Sequence, residues 1–234
     1  MTGLSVNKII CGDCLEIMKG WPDKCVDLVL TDPLYGIKIL NSDGTMGGTS
    51  ASIKKWAGQI NPKYQAFDND DRPIDPAKLL RVSQNQIIWG GNYIADKLPP
   101  SSCWLVWYKR INGQSNDYAD CELAWTSFDK PAKVFQHLWM GMLRHSEIQQ
   151  HYHPTQKPVA LGLWILKNYS KPDDLILDCY CGSGSFLVAA KLLGRRYIGI
   201  DISPEYCKVA EMRLRAVETG VSVAEQRIGQ MPLF

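Results

Sequence analysis

The chain has 234 residues, 45% hydrophobic and 21% charged, which excludes disorder as the default state and suits one α/β domain. The formal net charge of +2 excludes a broadly basic surface, although a local patch could still bind nucleic acid. No apolar run reaches the roughly 20 residues that span a bilayer, and the opening segment lacks a signal-peptide pattern. We therefore expect no membrane contact, and because eight cysteines are too sparse for a disulfide scaffold, we expect a reducing cytoplasm. We also expect no metal site, because no second well-spaced Cys/His pair accompanies Cys11 and Cys14.

Short apolar segments rich in β-branched residues alternate with amphipathic segments, which predicts βαβ units and a mostly parallel sheet. The predicted strands are Lys8–Cys11, Val26–Thr31, Gln86–Trp89, Cys103–Trp107, Glu122–Thr126, Leu175–Asp178 and Tyr197–Ile200. The predicted helices are Cys14–Lys19, Asn92–Lys97, Val159–Tyr169, Ser185–Leu193 and Pro204–Val217. The fourth and fifth strands follow each other without a clear helix, which favours an antiparallel pair at one edge.

Two polar segments interrupt this alternation, and neither marks a clean domain boundary. Residues 37–67 are rich in Gly, Ser, Thr and Asn, which is typical of a mobile lid or a binding loop. The second segment begins at Lys109 and mixes basic residues with Asn, Gly, Gln and Ser. We therefore expect residues 1–234 to form a single domain.

The strongest local pattern is LILDCYCGSGSFLVAAKLLGRRYIGIDISPEY, which starts at Leu175. One strand ends at Asp178, Gly182 and Gly184 form a tight turn, and the next strand ends at Asp201. Glycines there allow positive φ and close approach to a ligand, and the second acid can accept both ribose hydroxyls of a nucleoside. There is neither the third glycine of a dinucleotide site nor a Lys-Ser/Thr for a triphosphate. The pattern therefore favours a nucleoside without a pyrophosphate, such as S-adenosylmethionine, over a turn that serves packing alone.

A second pattern is the strand VDLVLT, which runs directly into Asp32, Pro33, Leu34 and Tyr35. Proline fixes φ and ends the hydrogen-bonded ladder, so Asp32 is held at the carboxyl end of its strand. Ligands bind at that end of the strands in open α/β sheets. An ordinary turn that ends a strand is the alternative interpretation.

Three motifs together resemble the β group of DNA amino-methyltransferases, including its small phage-type members. Asp32–Tyr35 is similar to the (D/N/S)-PP-(Y/F) catalytic motif, HPTQKP at His153–Pro158 matches the segment before the cofactor motif, and Asp178–Ser185 resembles D-x-F-x-G-x-G/T. Their order is a circular permutation of the commoner one. The resemblance covers nearly the whole chain. It implies a Rossmann-like fold dependent on S-adenosylmethionine, with a mostly parallel seven-stranded sheet, an antiparallel edge and a small target-recognition region within residues 109–150.

In that family the catalytic motif binds the target base of double-stranded DNA. The resemblance implies that the Asp32 carboxylate and the Pro33 carbonyl accept hydrogen bonds from an exocyclic amine, while Tyr35 stacks on the flipped base. Leu34 replaces the second proline of the motif. An aspartate at the first position favours adenine N6, with cytosine N4 and a catalytically silent DNA-binding relative as alternatives. The chain has no Pro-Cys dipeptide, which argues against methylation of cytosine carbon five.

The same resemblance assigns residues to the cofactor S-adenosylmethionine. Asp201 would bind the ribose hydroxyls and Asp13 the adenine amino group, while Asp178, Gly182 and Gly184 would line the methionine moiety. Lys157 is expected near the methionine carboxylate or, alternatively, as a cation at a helix start. The remaining cofactor candidates are Cys14, Asp32, Thr155, Gln156, Cys179, Cys181, Ser183, Ser185, Phe186 and Ile202.

Charge and loop placement suggest a set of basic residues that contact DNA phosphates, although solvated lysines are the commoner case. These candidates are Lys54, Lys55, Lys63, Lys109, Arg110, Lys130, Lys133 and Arg144. The sequence is compatible with a homodimer but does not decide the oligomeric state.

Overall fold

The computed structural model describes residues 4–35, 74–111, 113, 119–140, 143–148 and 151–229. The strands in this part of the chain are β1 Lys8–Cys11, β2 Val26–Thr31, β3 Ser83–Trp89, β4 Leu105–Tyr108, β5 Cys121–Thr126, β6 Lys133–Gln136, β7 Trp139–Met140, β8 Leu143–Arg144, β9 Leu175–Asp178 and β10 Arg196–Asp201. The α-helices are α1 Cys14–Ile17, α2 Ala77–Val82, α3 Val159–Tyr169, α4 Ser185–Leu192, α5 Pro204–Thr219 and α6 Val223–Gly229. Short 3-10 helices cover Met18–Gly20, Gly91–Tyr93 and Ala95–Lys97.

Eight strands form one sheet in the order β1-β10-β9-β2-β3-β5-β4-β6. Strand β5 runs antiparallel to both β3 and β4, and the other neighbouring strands are parallel. The predicted mostly parallel α/β sheet is therefore confirmed. The sheet has eight strands where seven were predicted, and because the additional strand β6 pairs with β4, the antiparallel β4–β5 pair lies inside the sheet and not at its edge. The sequence gives little signal for β6 because its four residues are mostly exposed and show no buried alternation.

Both faces of the sheet are covered by helices. In β2, Leu28 and Leu30 point to one face and Val29 to the other, because side chains alternate along a strand. The first face packs on Leu161 and Ile165 of α3, and on buried residues of α4. The second face packs on side chains from α2 and the N-terminal region, including Leu79, Val82, Met18 and Cys14. Burial on both sides explains why the central strands are almost continuously apolar.

The helix predicted at Asn92–Lys97 is instead a pair of 3-10 helices that follow Gly90, whose φ is +65°. Helices α2 and α6 and the β7–β8 hairpin were not predicted, since these elements are only two to seven residues long. The predicted loop at 37–67 lies outside the described residues. No helix in the described part is long and apolar enough to cross a bilayer.

Parallel strands bring their carboxyl ends to the same side of the sheet, here called the carboxyl edge. Asp32 follows β2 there, Asp178 ends β9 and Asp201 ends β10. Because β5 is antiparallel, its first residues reach the same edge, where Glu122 lies opposite Trp107 of β4. The three acids predicted from the sequence and Glu122 therefore converge on one side of the molecule.

Candidate active site

The glycine turn between β9 and α4 has the geometry expected of a ligand cradle. Gly182 and Gly184 have φ of +48° and +78°, a region that favours glycine. The Gly182 N–H donates to the Asp201 carboxylate at 2.8 Å, and the Ser203 N–H donates to the other oxygen at 2.9 Å. A Cβ atom at Gly184 would lie only 3.0 Å from that of Ala210 in α5. The turn is therefore tightly packed against α5 and fastened to the end of the next strand.

Two carboxyl groups face this turn, the buried Asp178 and the half-buried Asp201. Asp178 is 2% exposed and accepts a hydrogen bond of 2.8 Å from the hydroxyl of Thr31, at the end of β2. Burial raises the pKa of Asp178 to about 8, against the opposing effect of the Thr31 hydrogen bond. Burial also raises the pKa of Asp201. Such a pair disfavours a phosphate and suits a ligand that carries positive charge and hydroxyl groups.

Asp32 follows β2 and lies one residue beyond Thr31, the partner of Asp178. Its carboxylate accepts hydrogen bonds from the Tyr35 hydroxyl and from the Lys157 ammonium. Lys157 Nζ also lies 3.1 Å from a carboxylate oxygen of Glu122, whose other oxygen lies 2.8 Å from Lys109 Nζ. We call Asp32, Lys157, Glu122 and Lys109 the charge cluster. The sequence placed these residues in four separate segments, and the fold brings them together at the carboxyl edge.

Burial and ion pairing act in opposite directions on the groups of the charge cluster. Burial raises the pKa of Asp32, and Lys157 opposes that rise. Burial would likewise raise the pKa of Glu122, but Lys157 and Lys109 outweigh it and bring that pKa to about 2. Burial works to lower the pKa of Lys157, yet Asp32 and Glu122 hold it above its ordinary value. Lys157 and Glu122 are therefore both charged at neutral pH.

The ring of Tyr35 is held between backbone and a second aromatic residue. It stacks on Tyr93 with ring centroids 5.0 Å apart and planes 20° apart. On another side lies Gly90, where a Cβ atom would be only 2.0 Å from a Tyr35 ring carbon. Glycine at position 90 thus has two roles, because it adopts a left-handed φ and, having no Cβ atom, leaves space for the Tyr35 ring.

The other cofactor candidates have varied roles in the structure. The Asp13 carboxylate caps α1 by accepting from the Leu15 and Glu16 N–H groups at 2.7 and 3.2 Å. Phe186 is 3% exposed and belongs to the core against α3, which gives it a packing role. Lys157 donates a hydrogen bond to the Asp32 carboxylate. The candidates on the turn or at neighbouring strand ends are Cys14, Cys179, Cys181, Ser183, Ser185 and Ile202, and Thr155 and Gln156 belong to the segment before α3.

The structure separates the predicted DNA contacts into distinct groups. The Arg110 side chain is 3% exposed and its Nε lies 2.9 Å from Asp120, so it is buried in an ion pair. Lys109 is part of the charge cluster. Arg144 stacks on Trp139 at 4.1 Å, in the β7–β8 hairpin. Lys54, Lys55 and Lys63 lie outside the described residues.

Lys130 and Lys133, two further candidates for DNA contact, lie away from the carboxyl edge. Strand β5 leaves the carboxyl edge, and its six residues span roughly 20 Å before the chain reaches these lysines. Lys133 pairs with Leu105 at the start of β4, and Lys130 donates to the Asn168 carbonyl near the end of α3. Both lysines therefore lie at the edge of the sheet opposite Asp32.

Two residues of this region were missed by sequence analysis although each left a signal. Glu122 is an acid at the start of the predicted strand Glu122–Thr126, next to the apolar residues of that strand. Arg213 is a charged residue on the buried stripe of α5, at helical spacing from Tyr206, Val209 and Ala210. An isolated charge at a buried position indicates a specific partner, but the sequence does not name that partner.

A family model described as DNA methylase, N6_N4_Mtase, matches residues 84–212, which is more than half of the chain. The chain belongs to the N6/N4 DNA methylase family. The type II methyltransferase M2.LlaDCHI of Lactococcus lactis subsp. cremoris is 39% identical over 245 residues, with 88% of each chain covered. YubD of Escherichia coli K12, a methylase by name, is 27% identical over 222 residues, covering 91% of this chain and 92% of its own.

Solved methylase structures have the same fold as this chain. The M1.HpyAVI complex with SAM aligns with a TM-score of 0.53 and 22% identity, covering 88% of this chain and 98% of its own. TTHA0409 of Thermus thermophilus, named as a DNA modification methylase and solved with S-adenosylmethionine, aligns with a TM-score of 0.55 and 17% identity over 91% and 96%. The cytosine-N4-specific PvuII DNA methyltransferase aligns with a TM-score of 0.56 and 15% identity over 94% and 89%. These likenesses confirm the Rossmann-like methyltransferase fold of this DNA methylase.

Proposed function

We propose that this DNA methylase transfers a methyl group from S-adenosylmethionine to the N6 amino group of adenine in a short duplex target. The observation that carries the proposal is the link between the two halves of the site. Strands β2 and β9 are neighbours, and Thr31 next to Asp32 donates to Asp178 at the glycine turn. An amine bound at Asp32 and a methyl donor bound at the glycine turn would thus face each other across adjacent strand ends.

The residues around the glycine turn fit S-adenosylmethionine. When bound, it supplies an electrophilic methyl group on a positively charged sulfur. Asp201, which ends β10, is placed to accept the ribose hydroxyls, as in other nucleoside sites of this topology. Asp178 offers a carboxyl group to the cationic methionine end, and the N-terminus of α4 at Ser185 offers N–H groups to its carboxylate.

The Asp32 turn accounts for activation of the acceptor amine. An aromatic amine is a weak nucleophile because its lone pair is delocalised into the ring. If the Asp32 carboxylate and the Pro33 carbonyl accept its two N–H groups, they stabilise the positive charge that develops on nitrogen as the new bond forms. Tyr35, backed by Tyr93, offers an aromatic face to the base. The methylated nitrogen then loses one proton to restore neutrality, and this proton leaves through Asp32 to solvent.

Adenine is favoured over cytosine by the aspartate at the first position of the catalytic turn. The fold does not discriminate, because the cytosine-N4-specific PvuII enzyme aligns with this chain as well as the other structures do. N4 methylation of cytosine is therefore the second candidate. A catalytically silent relative is disfavoured by the intact pair of acceptor groups in the turn, where only Leu34 departs from the family pattern.

Nucleoside analysis of the product tests the assignment. Unmethylated plasmid DNA is incubated with the protein and S-adenosylmethionine carrying a labelled methyl group, then digested to nucleosides and analysed by mass spectrometry. We expect the label in N6-methyldeoxyadenosine. Label in N4-methyldeoxycytidine would move the activity to the second candidate, and the absence of label from DNA would contradict the proposed function.

A further inference from the structure

The Asp32 carboxylate is enclosed by charged groups from separate parts of the fold. Lys157 reaches it from the segment before α3, and Lys157 is itself paired with Glu122 of β5 at 3.1 Å. Lys109, just after β4, binds the far oxygen of Glu122 at 2.8 Å. The Lys157 and Asp32 side chains are only 9% and 16% exposed. The cluster thus contains two carboxylates and two ammonium groups, whose formal charges cancel.

These contacts leave Asp32 able to bind a substrate amine. Tyr35 binds one carboxylate oxygen and Lys157 binds the other. Because an ionised carboxylate has about four acceptor sites, each oxygen still has one site free. Two of the sites fix the plane of the carboxylate, and the remaining sites define the directions from which an amine can donate.

We propose that Lys157 and Glu122 are positioning residues for methyl transfer: Lys157 orients the Asp32 carboxylate toward the target amine, and Glu122 holds the Lys157 ammonium in reach of it. The inference rests on the proposed function of Asp32 as the amine acceptor. It assigns Lys157 to the target-base side of the site, in place of the methionine carboxylate expected from the sequence.

Electrostatics supplies the physical reason for such a pair. Burial alone raises the pKa of Asp32, and a protonated Asp32 would keep fewer acceptor sites for the amine. Lys157 opposes this rise, whereas Glu122 adds to it. Lys157 and Lys109 together keep Glu122 ionised against the effect of burial on its pKa. Lys157 and Glu122 therefore shift the pKa of Asp32 in opposite directions.

Several charged or titratable groups surround Asp32 in the described part of the chain. Its own turn contributes Tyr35, strand β9 contributes Asp178, strand β5 contributes Glu122 and the segment before α3 contributes Lys157. Lys109 lies behind Glu122, Tyr93 lies behind Tyr35, and His153 faces Lys157. Of these groups, Lys157 is the positive charge nearest to Asp32, so its removal should raise the pKa of Asp32.

The first test is the pH dependence of methyl transfer in Lys157→Gln and Lys157→Arg. Initial rates are measured on unmethylated plasmid DNA at saturating S-adenosylmethionine, with donor affinity measured separately at each pH. We expect Lys157→Gln to lower kcat about 100-fold at neutral pH and to move the acidic limb of the profile to higher pH. Lys157→Arg should recover most of the rate and return the limb toward the wild-type position, because it restores the charge.

The variant Glu122→Gln supplies a second and independent test of the pH profile. Removing this carboxylate lowers the pKa of Asp32, so the acidic limb should move to lower pH, opposite to the shift in Lys157→Gln. The kcat should fall as well, since Lys157 loses its second anchor. A purely structural role would not move the two limbs in opposite directions.

The matched control is Lys167→Gln, which removes an exposed lysine near the end of α3 and should leave both rate and profile unchanged. If Lys157→Gln keeps the wild-type profile, or if both variants move it the same way, the positioning role is wrong. If Lys157→Gln does not fold, as judged by thermal unfolding, the direction in which Glu122→Gln moves the acidic limb of the pH profile tests the proposal by itself. Failure of the wild-type protein to methylate DNA would instead refute the proposed function, so the two outcomes remain distinct.

Discussion

Arg213 forms a buried ion pair with Glu147, with a nitrogen–oxygen distance of 2.9 Å and side chains only 5% and 11% exposed. From α5, Arg213 also donates to the Ser183 carbonyl at 2.8 Å and to the hydroxyls of Ser183 and Ser185 at 3.1 Å. Glu147 accepts from the Val159 N–H at 2.8 Å. This pair therefore connects the glycine turn to the first residue of α3, two residues after Lys157.

The pair predicts a large effect for Arg213→Met. Breaking a buried ion pair leaves Glu147 uncompensated, which costs about 3–5 kcal/mol of unfolding free energy. The glycine turn loses its side-chain support at the same time, so donor affinity should also fall. Denaturant unfolding and calorimetric titration with S-adenosylhomocysteine measure the two effects. A variant that keeps both wild-type values would show that the pair carries neither role.

Glu147→Gln provides the comparison for that experiment. It removes the charge but keeps one oxygen that can accept from Arg213, while the Val159 N–H, which binds the other oxygen of Glu147, loses its acceptor. We therefore expect a smaller loss of stability than in Arg213→Met.

The raised pKa of Asp178 makes stability depend on pH. With a pKa of about 8 in the folded protein and about 4 in the unfolded chain, its stabilising contribution is complete below pH 4 and is lost as pH rises toward 8. Asp178→Asn lacks this loss, so its melting temperature without ligand should exceed that of the wild type, by a margin that grows from pH 5 to pH 8. The same variant should bind S-adenosylhomocysteine weakly. A margin that does not change with pH would contradict the assignment.

Gly90→Ala and Gly194→Ala form a matched pair that tests the position of Tyr35. Both glycines have φ near +65°, so both alanines cost about 1 kcal/mol of backbone strain. At Gly90 the new Cβ would clash with the Tyr35 ring, whereas nothing lies within 4 Å at Gly194. Gly90→Ala should therefore lower kcat by about 10-fold or more while donor affinity is unchanged. Equal kcat values in the two variants would remove the Tyr35 ring from the proposed mechanism.

The edge of the sheet at which a basic residue lies predicts whether that residue affects DNA binding. Replacing Lys130 and Lys133 together with alanine should leave the salt dependence of DNA affinity unchanged, because they lie opposite Asp32. Arg144→Gln, in the hairpin that follows β6, should reduce the slope of log affinity against log salt by about one unit. Fluorescence anisotropy with a labelled duplex over a series of salt concentrations measures both. A changed slope in the double lysine variant would contradict the placement.

The sequence predicted the parts of the site that lie close together along the chain. Asp178, the two glycines and Asp201 follow one another within a single βαβ unit, so strand, turn and helix signals locate them. Asp32 was predicted for the same reason, since a buried strand and a proline fix it locally. These elements are specified by short-range backbone chemistry.

The charge cluster could not be predicted because it depends on long-range pairing. Lys157 and Glu122 meet Asp32 only through the strand order and the direction of β5. That direction also decides that Glu122 faces the site while Lys130 and Lys133 do not. Charge alone does not indicate at which edge of the sheet a basic residue lies, so the sequence could not separate Lys130 and Lys133 from the basic residues near Asp32.

The central claim, that Asp32 activates the acceptor amine, is tested most directly by methyl transfer in Asp32→Ala. Labelled methyl incorporation into unmethylated plasmid DNA is compared with the wild type, and S-adenosylhomocysteine affinity is measured in both proteins. We predict that the variant binds S-adenosylhomocysteine within about 3-fold of the wild type while its rate of transfer falls by about 1000-fold or more. Transfer at the wild-type rate by Asp32→Ala would contradict the account.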